Sequence, residues 1–173
     1  MVPIKKNTNE ILHKLDYDDT DYEEILLIAI QSNMPDYKMA YHLNKNLNIQ
    51  FQKVHPEITL TSENGVTYLR HFLYEDCKNH LNWRLIENKS NYSISQLDKK
   101  ESLFVDPNDL FSTTEYLVPE WKTIDYFLQI ENADDFFQMD EIENQLNKIK
   151  NISMYFVVDI ESLSAKSKKN ILF

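Results

Sequence analysis

Ile25-Leu26-Leu27-Ile28-Ala29-Ile30 runs into Gln31-Ser32-Asn33-Met34-Pro35-Asp36-Tyr37, and the reading of this junction decides the fold. A short apolar run, bounded by acidic residues before it and turn formers after it, predicts a central strand buried on both faces. Asn33 stands where an N-cap is needed and Pro35 suits a first helical turn. Tyr37, Ala40, Leu43 and Leu47 then recur at helical spacing, so a helix is predicted over 35–47, with a weaker strand over 49–54.

The same order of strand, acidic linker, helix and strand recurs near the other end. A strand is predicted over 123–130, a helix along the stripe Met139, Ile142, Leu146 and Ile149, and a strand over 154–160. Each unit has about the length of a βαβ motif. Between them, 58–63 and 66–74 flank Asn64-Gly65, a two-residue hairpin signal. Leu81–Glu87 reads as a strand with Trp83 and Leu85 on one side and Arg84 and Ile86 on the other. Residues 88–112 read as a long loop that holds one short apolar run, Leu103-Phe104-Val105, and a further strand is predicted over 115–118, before Pro119. The expected class is α+β: a mostly antiparallel sheet with two helices packed on it. Two split βαβ units, ferredoxin-like with an inserted hairpin, would give that arrangement. A length of 173 residues fits a single domain over 1–173, with a polar acidic segment 1–24, the loop 88–112 and a tail 164–173.

Composition excludes several chemistries. Gly65 is the only glycine, so a phosphate-binding Walker loop, a GxGxxG dinucleotide turn and a GxSxG nucleophile elbow cannot be assembled. A net charge of −10 opposes the phosphate contacts that drive nucleic-acid binding. No stretch approaches the roughly 20 apolar residues of a membrane span, and Met1-Val2-Pro3-Ile4-Lys5-Lys6 leads into polar residues, so a cytoplasmic location is expected. The lone Cys77 fits a reducing compartment, in which the triplets at Asn88, Asn91 and Asn151 are not glycosylated.

Val118-Pro119-Glu120-Trp121-Lys122-Thr123-Ile124-Asp125-Tyr126 resembles the signature of the IPExxxVDY proteins of Bacteroidetes-type bacteria. Val118 and Ile124 stand in for the Ile and Val of that pattern, and Pro119, Glu120, Asp125 and Tyr126 match it. The early apolar run, Asp36-Tyr37, the Trp83 strand and the terminal Lys169-Asn170-Ile171-Leu172-Phe173 are similar too. The resemblance implies a bacterial cytoplasmic protein and assigns no catalytic role.

Glu120, Trp121, Asp125 and Tyr126 are the candidate binding residues, and their two carboxylates can serve as acid and base when burial separates their pKa values. Against this stands a structural role, the carboxylates holding backbone donors around the Pro119 bend. Cys77, His80 and His71 lack the second close pair that structural zinc requires, and Cys77 sits beside Glu75 and Asp76, not beside a base. The run Asp16-Tyr17-Asp18-Asp19-Thr20-Asp21-Tyr22-Glu23-Glu24 lacks the glycine and terminal glutamate of an EF-hand and reads as a solvated loop. No catalytic residue, metal or cofactor is assigned. The expected function is a non-catalytic protein-interaction or regulatory module whose partner is another protein or a second copy joined through an open sheet edge. The alternative is a small-molecule binding domain or minor enzyme around Glu120 and Asp125. Three terminal apolar residues in water are expected to be buried, either on their own domain, with Lys166, Lys168 and Lys169 available to the acidic run, or on a partner as a docking peptide, the first being preferred.

Overall fold

The computed structural model describes residues 25–62, 65–93, 112–133 and 137–172. The acidic run at 16–24, residues 103–105, Asn64 and Phe173 lie outside them. The chain is α+β, and its centre is a six-stranded, wholly antiparallel sheet. In chain order its strands are β1 (Ile25–Ser32), β2 (Gln52–Lys53), β5 (His71–Asp76), β6 (Leu81–Glu87), β9 (Tyr126–Glu131) and β10 (Ile152–Val157). Their spatial order is β10-β1-β9-β6-β5-β2. Two ribbons complete the strands: β3 (Ile58–Ser62) with β4 (Gly65–Leu69), and β7 (Lys89–Ser93) with β8 (Ser112–Tyr116).

The second predicted βαβ unit is present in split form. Helix α2 (Met139–Leu146) joins β9 to β10, and β1 lies between these two strands, antiparallel to both. The first unit is spread across the sheet. Helix α1 (Asp36–Leu47) leads from β1 to β2 on the far edge, and β6 takes the place beside β9 that a compact first unit would give to β2.

Period-two alternation gives the sheet two buried faces. On one, Ile28, Ile30, Trp83, Leu85, Tyr126, Leu128 and Ile130 meet Met39, Ala40 and Leu43 of α1 and Ile142 and Leu146 of α2. On the other, Leu27, Ala29, Ile86 and Phe127 meet the β3–β4 ribbon, Leu117, Val118, Ile124 and the C-terminal segment. Covering on both sides explains why β1 reads as a continuous apolar run.

Several expectations are corrected. The strand expected over 66–74 breaks at Arg70, whose backbone N–H and guanidinium both turn to Glu87, so β4 and β5 belong to different sheets. The last pair of the β3–β4 ladder is Ser62 with Gly65, so the glycine belongs to the strand and not to the centre of the turn. Of 49–54 only Gln52–Lys53 pairs, because Ile49 and Phe51 are drawn into the core. The region expected as a loop over 88–112 begins with β7, which pairs with β8, and the strand expected over 115–118 is displaced to 112–116 as Leu117 and Val118 turn inward. Asn33 does not cap α1. Pro35 occupies that position, and Asp36 is buried while Tyr37 is 62% exposed. Asn48 ends the helix at φ 55°, a left-handed conformation that asparagine tolerates.

The tail is a helix, α3 (Ala165–Ile171), preceded by a single 3₁₀ turn (Ile160–Ser162). Ser164 caps it by accepting from the Ser167 N–H at 3.2 Å, and Ile171 is fully buried against the second face. Lys168 pairs with Glu161 at 2.6 Å. No described helix is long and apolar enough to cross a membrane.

Candidate functional site

At one end of the sheet, where β1 ends and β9 begins, Ser32, Asn33, Met34, Arg70, Glu87, Lys89, Ser90, Asp125 and Tyr126 line a cleft of about 320 Å³. The topology makes it. Neighbouring antiparallel strands bring the last residues of β1 and β6 beside the first of β9, and the Arg70 break and the start of α1 close the rim.

Charges in the cleft are paired. The Arg70 Nε donates to Glu87 Oε2 at 3.0 Å, its second terminal nitrogen lies 2.9 Å from Glu87 Oε1, and the first lies 3.2 Å from Asp36 Oδ2. Asp125 receives the Ser32 N–H on Oδ2 at 2.8 Å and pairs with Lys89 through Oδ1. The Asp36 and Glu87 carboxylates are buried and that of Asp125 is partly buried, whereas the Arg70 and Lys89 side chains are each 46% exposed. Burial lifts the Glu87 pKa above its ordinary value despite the Arg70 contact. In Arg70, burial is outweighed by attraction to Glu87 and Asp36, so its pKa rises. Burial, with Glu87, Asp36 and Asp125 nearby, also pushes the Tyr126 phenol up, so it stays a neutral donor and binds the Met34 carbonyl at 2.6 Å. With its carboxylates occupied and its phenol committed, the cleft offers spare N–H donors from Arg70 and Lys89 and, among its described residues, no free base.

The four candidate residues divide between two places. Asp125 and Tyr126 line the cleft. Glu120 instead accepts the Ser164 N–H at 3.2 Å and the Ser167 hydroxyl at 2.5 Å, tying the Pro119 bend to α3. Partial burial opposes its charge, but these bonds prevail and hold its pKa at about 2. Trp121 packs on the second face, 6.2 Å from the Phe127 ring and 5.4 Å from that of Phe156. Ile124 joins it there, on the side of Phe127 and not of Tyr126, because it precedes the strand in a turn closed by its N–H to the Trp121 carbonyl.

Asn88 organises this loop. Fully buried, it donates to the carbonyls of Trp121 at 2.8 Å and Ile124 at 2.9 Å and accepts the Val118 N–H at 2.9 Å. Its backbone binds Asp125 and Leu117. Sequence reading missed Asn88, Arg70, Glu87, Asp36 and Lys89. An acidic residue at a helix start and a charged residue interrupting an alternating strand were the available signals.

A second feature lies at the sheet edge. Val158 N–H donates to Leu27 at 2.8 Å, so by antiparallel alternation residues 154, 156 and 158 turn their backbone groups to β1 while Tyr155 and Val157 turn theirs outward. No described strand pairs with that side of β10. The strand Ile152-Ser153-Met154-Tyr155-Phe156-Val157 has neither charge nor proline, and Met154 and Val157 are 44% and 47% exposed. The opposite edge is guarded: β2 has two residues, one being Lys53, paired with Glu57, and Pro56 follows. No protein-family model, curated protein or solved structure matches the chain.

Proposed function

We propose that the protein is a cytoplasmic, non-catalytic interaction module of the IPExxxVDY type that engages its partner by strand addition along β10. The observation that carries this reading is the uncharged, proline-free outer strand, on which the backbone groups of Tyr155 and Val157 face away from β1 and meet no described strand. Such an edge aggregates unless something covers it, and an extended partner strand satisfies its hydrogen bonds. The mutual pairing of charges in the cleft supports the absence of chemistry. The test is in-cell photocrosslinking from a benzophenone amino acid at Met154, with the exposed helix position Tyr41 as control. A discrete protein adduct is expected at 154 only. No adduct, or the same adducts at both positions, refutes strand addition.

A second reading, a small-molecule site, is supported by the half-exposed Arg70 and Lys89 heads over more deeply buried carboxylates. It centres on Asp125 and Tyr126 and leaves out Glu120. A metabolite that raises the melting temperature of the wild type and not of Lys89→Ala would favour it.

A further inference from the structure

We infer that the partner strand is β10 of a second copy, paired antiparallel about a two-fold axis to join two six-stranded sheets into one. This rests on the strand-addition reading and adds the identity of the partner.

The backbone selects the register. Antiparallel partners exchange both bonds only between residues whose N–H and C=O point at each other. On β10 those are Tyr155 and Val157. Placing Tyr155 opposite the second copy's Val157, with the axis at Phe156, makes both pairs bond reciprocally. The alternative centre at Tyr155 would set Val157 against Ser153, where the β1–β10 register is bulged. In the chosen register the exposed Val157 side chain lies beside the second copy's Tyr155 on the helix-bearing face. That face is shared because Val157 and Tyr155 pair with Ile28 and Ile30 of β1.

Charge selects the direction. Lys148 and Lys150 precede β10, and Asp159 and Glu161 follow it. Antiparallel pairing brings the basic flank of each copy toward the acidic flank of the other, at both ends. Parallel pairing would set like against like. Lys150 and Asp159 are exposed, and among the described residues neither has an ion-pair partner within its own copy. Local complementarity of this kind is what a chain with net charge −10 needs to bind itself.

Sedimentation equilibrium of the purified full chain should give twice the 20.7 kDa monomer mass at micromolar concentration. Val157→Lys, at a half-exposed position, should be monomeric and should melt cooperatively, as the wild type does once diluted below its dimer dissociation constant. Lys150→Glu and Asp159→Lys should each weaken the homodimer about tenfold, since both flanks become repulsive. Mixed one to one, these variants should form the heterodimer, in which both flanks are again attractive, and native mass spectrometry reads that species directly. A wild type that stays monomeric overturns the inference, as do two single variants that dimerise as tightly as wild type. A monomer that still crosslinks from position 154 to a different protein overturns self-pairing and leaves strand addition standing. Loss of every adduct brings down the reading beneath it.

Discussion

Replacing Asn88 by alanine is expected to cost about 2–6 kcal/mol, although the side chain touches no charge and no ligand. The amide is fully buried and bonded at both ends: Nδ2 to the carbonyls of Trp121 and Ile124, Oδ1 from the Val118 N–H. Alanine leaves these partners differently placed. The Trp121 carbonyl keeps the Ile124 N–H at 3.1 Å, so it is not orphaned. The Ile124 carbonyl and the Val118 N–H lose the side-chain partner that satisfied them, and each buried unsatisfied group costs about 1–3 kcal/mol. Against a typical domain stability of about 5–15 kcal/mol that is a large fraction. Equilibrium urea denaturation, followed by tryptophan fluorescence, measures it. The midpoint should fall with an unchanged slope, because the surface exposed on unfolding is the same. Asn88→Asp should be no milder, since it keeps one acceptor but loses both donors and buries a charge. A loss below about 1 kcal/mol for the alanine variant would mean that the loop is held by its apolar contacts and that the amide is incidental.

Asp125→Ala should destabilise by about 1.5–3 kcal/mol through the partly buried, charge-assisted bond to the Ser32 N–H, and Glu120→Ala by less, in matched denaturant melts. Glu120 has a folded pKa of about 2, below its ordinary 4.5, so its contribution is full above that ordinary value and is lost as pH falls from there through about 2. The stability gap between wild type and Glu120→Gln should therefore be constant near neutrality and close on acidification through this window. Ile171→Ala should cost about 2–5 kcal/mol in thermal melts, because the side chain is fully buried on the second face. Trp83→Phe should stay within about 1 kcal/mol of wild type in urea, since its buried indole N–H has no acceptor among the described residues and removing it relieves a desolvation cost that offsets lost packing.

The parts of the fold legible in the sequence are those with a strong period. The apolar run of β1, the alternation of β6 and the stripe of α2 each report a local geometry that the sheet then uses. What could not be read are choices made by distant partners. Nothing near Arg70 announces that its backbone N–H leaves the ladder for a carboxylate 17 residues later. Nothing near Asn88 marks it as the buried centre of a loop 30 to 36 residues on. Strand β7, Lys-Ser-Asn-Tyr-Ser, and the Ser-Thr-Thr that opens β8 are polar and carry no alternating signal, so β7 reads as loop and the strand expected over 115–118 begins too late. Helical spacing alone puts Tyr37 on the apolar side of α1 with Ala40, Leu43 and Leu47. The Asp36–Arg70 pair instead buries the residue before Tyr37.

The candidate site was half legible for a related reason. In Val118-Pro119-Glu120-Trp121-Lys122-Thr123-Ile124-Asp125-Tyr126, most of the polar side chains have an intramolecular task. Glu120 secures α3, Asp125 holds the end of β1 through Ser32, and the Tyr126 hydroxyl binds the Met34 carbonyl that follows it. A motif dense in carboxylates and aromatics invites a chemical reading because catalysis needs those groups. A chain with one glycine and a loop that must cross a covered sheet face needs them too, to satisfy backbone donors and to fill space. The two readings differ in where the hydrogen-bonding capacity goes. Here the carboxylates spend it on backbone N–H groups, a serine hydroxyl and a lysine within the chain. Among the described residues the backbone groups of Tyr155 and Val157 spend none of theirs, on a strand with no motif at all, and that is why the proposed interaction is placed at the edge and the signature is read as architecture.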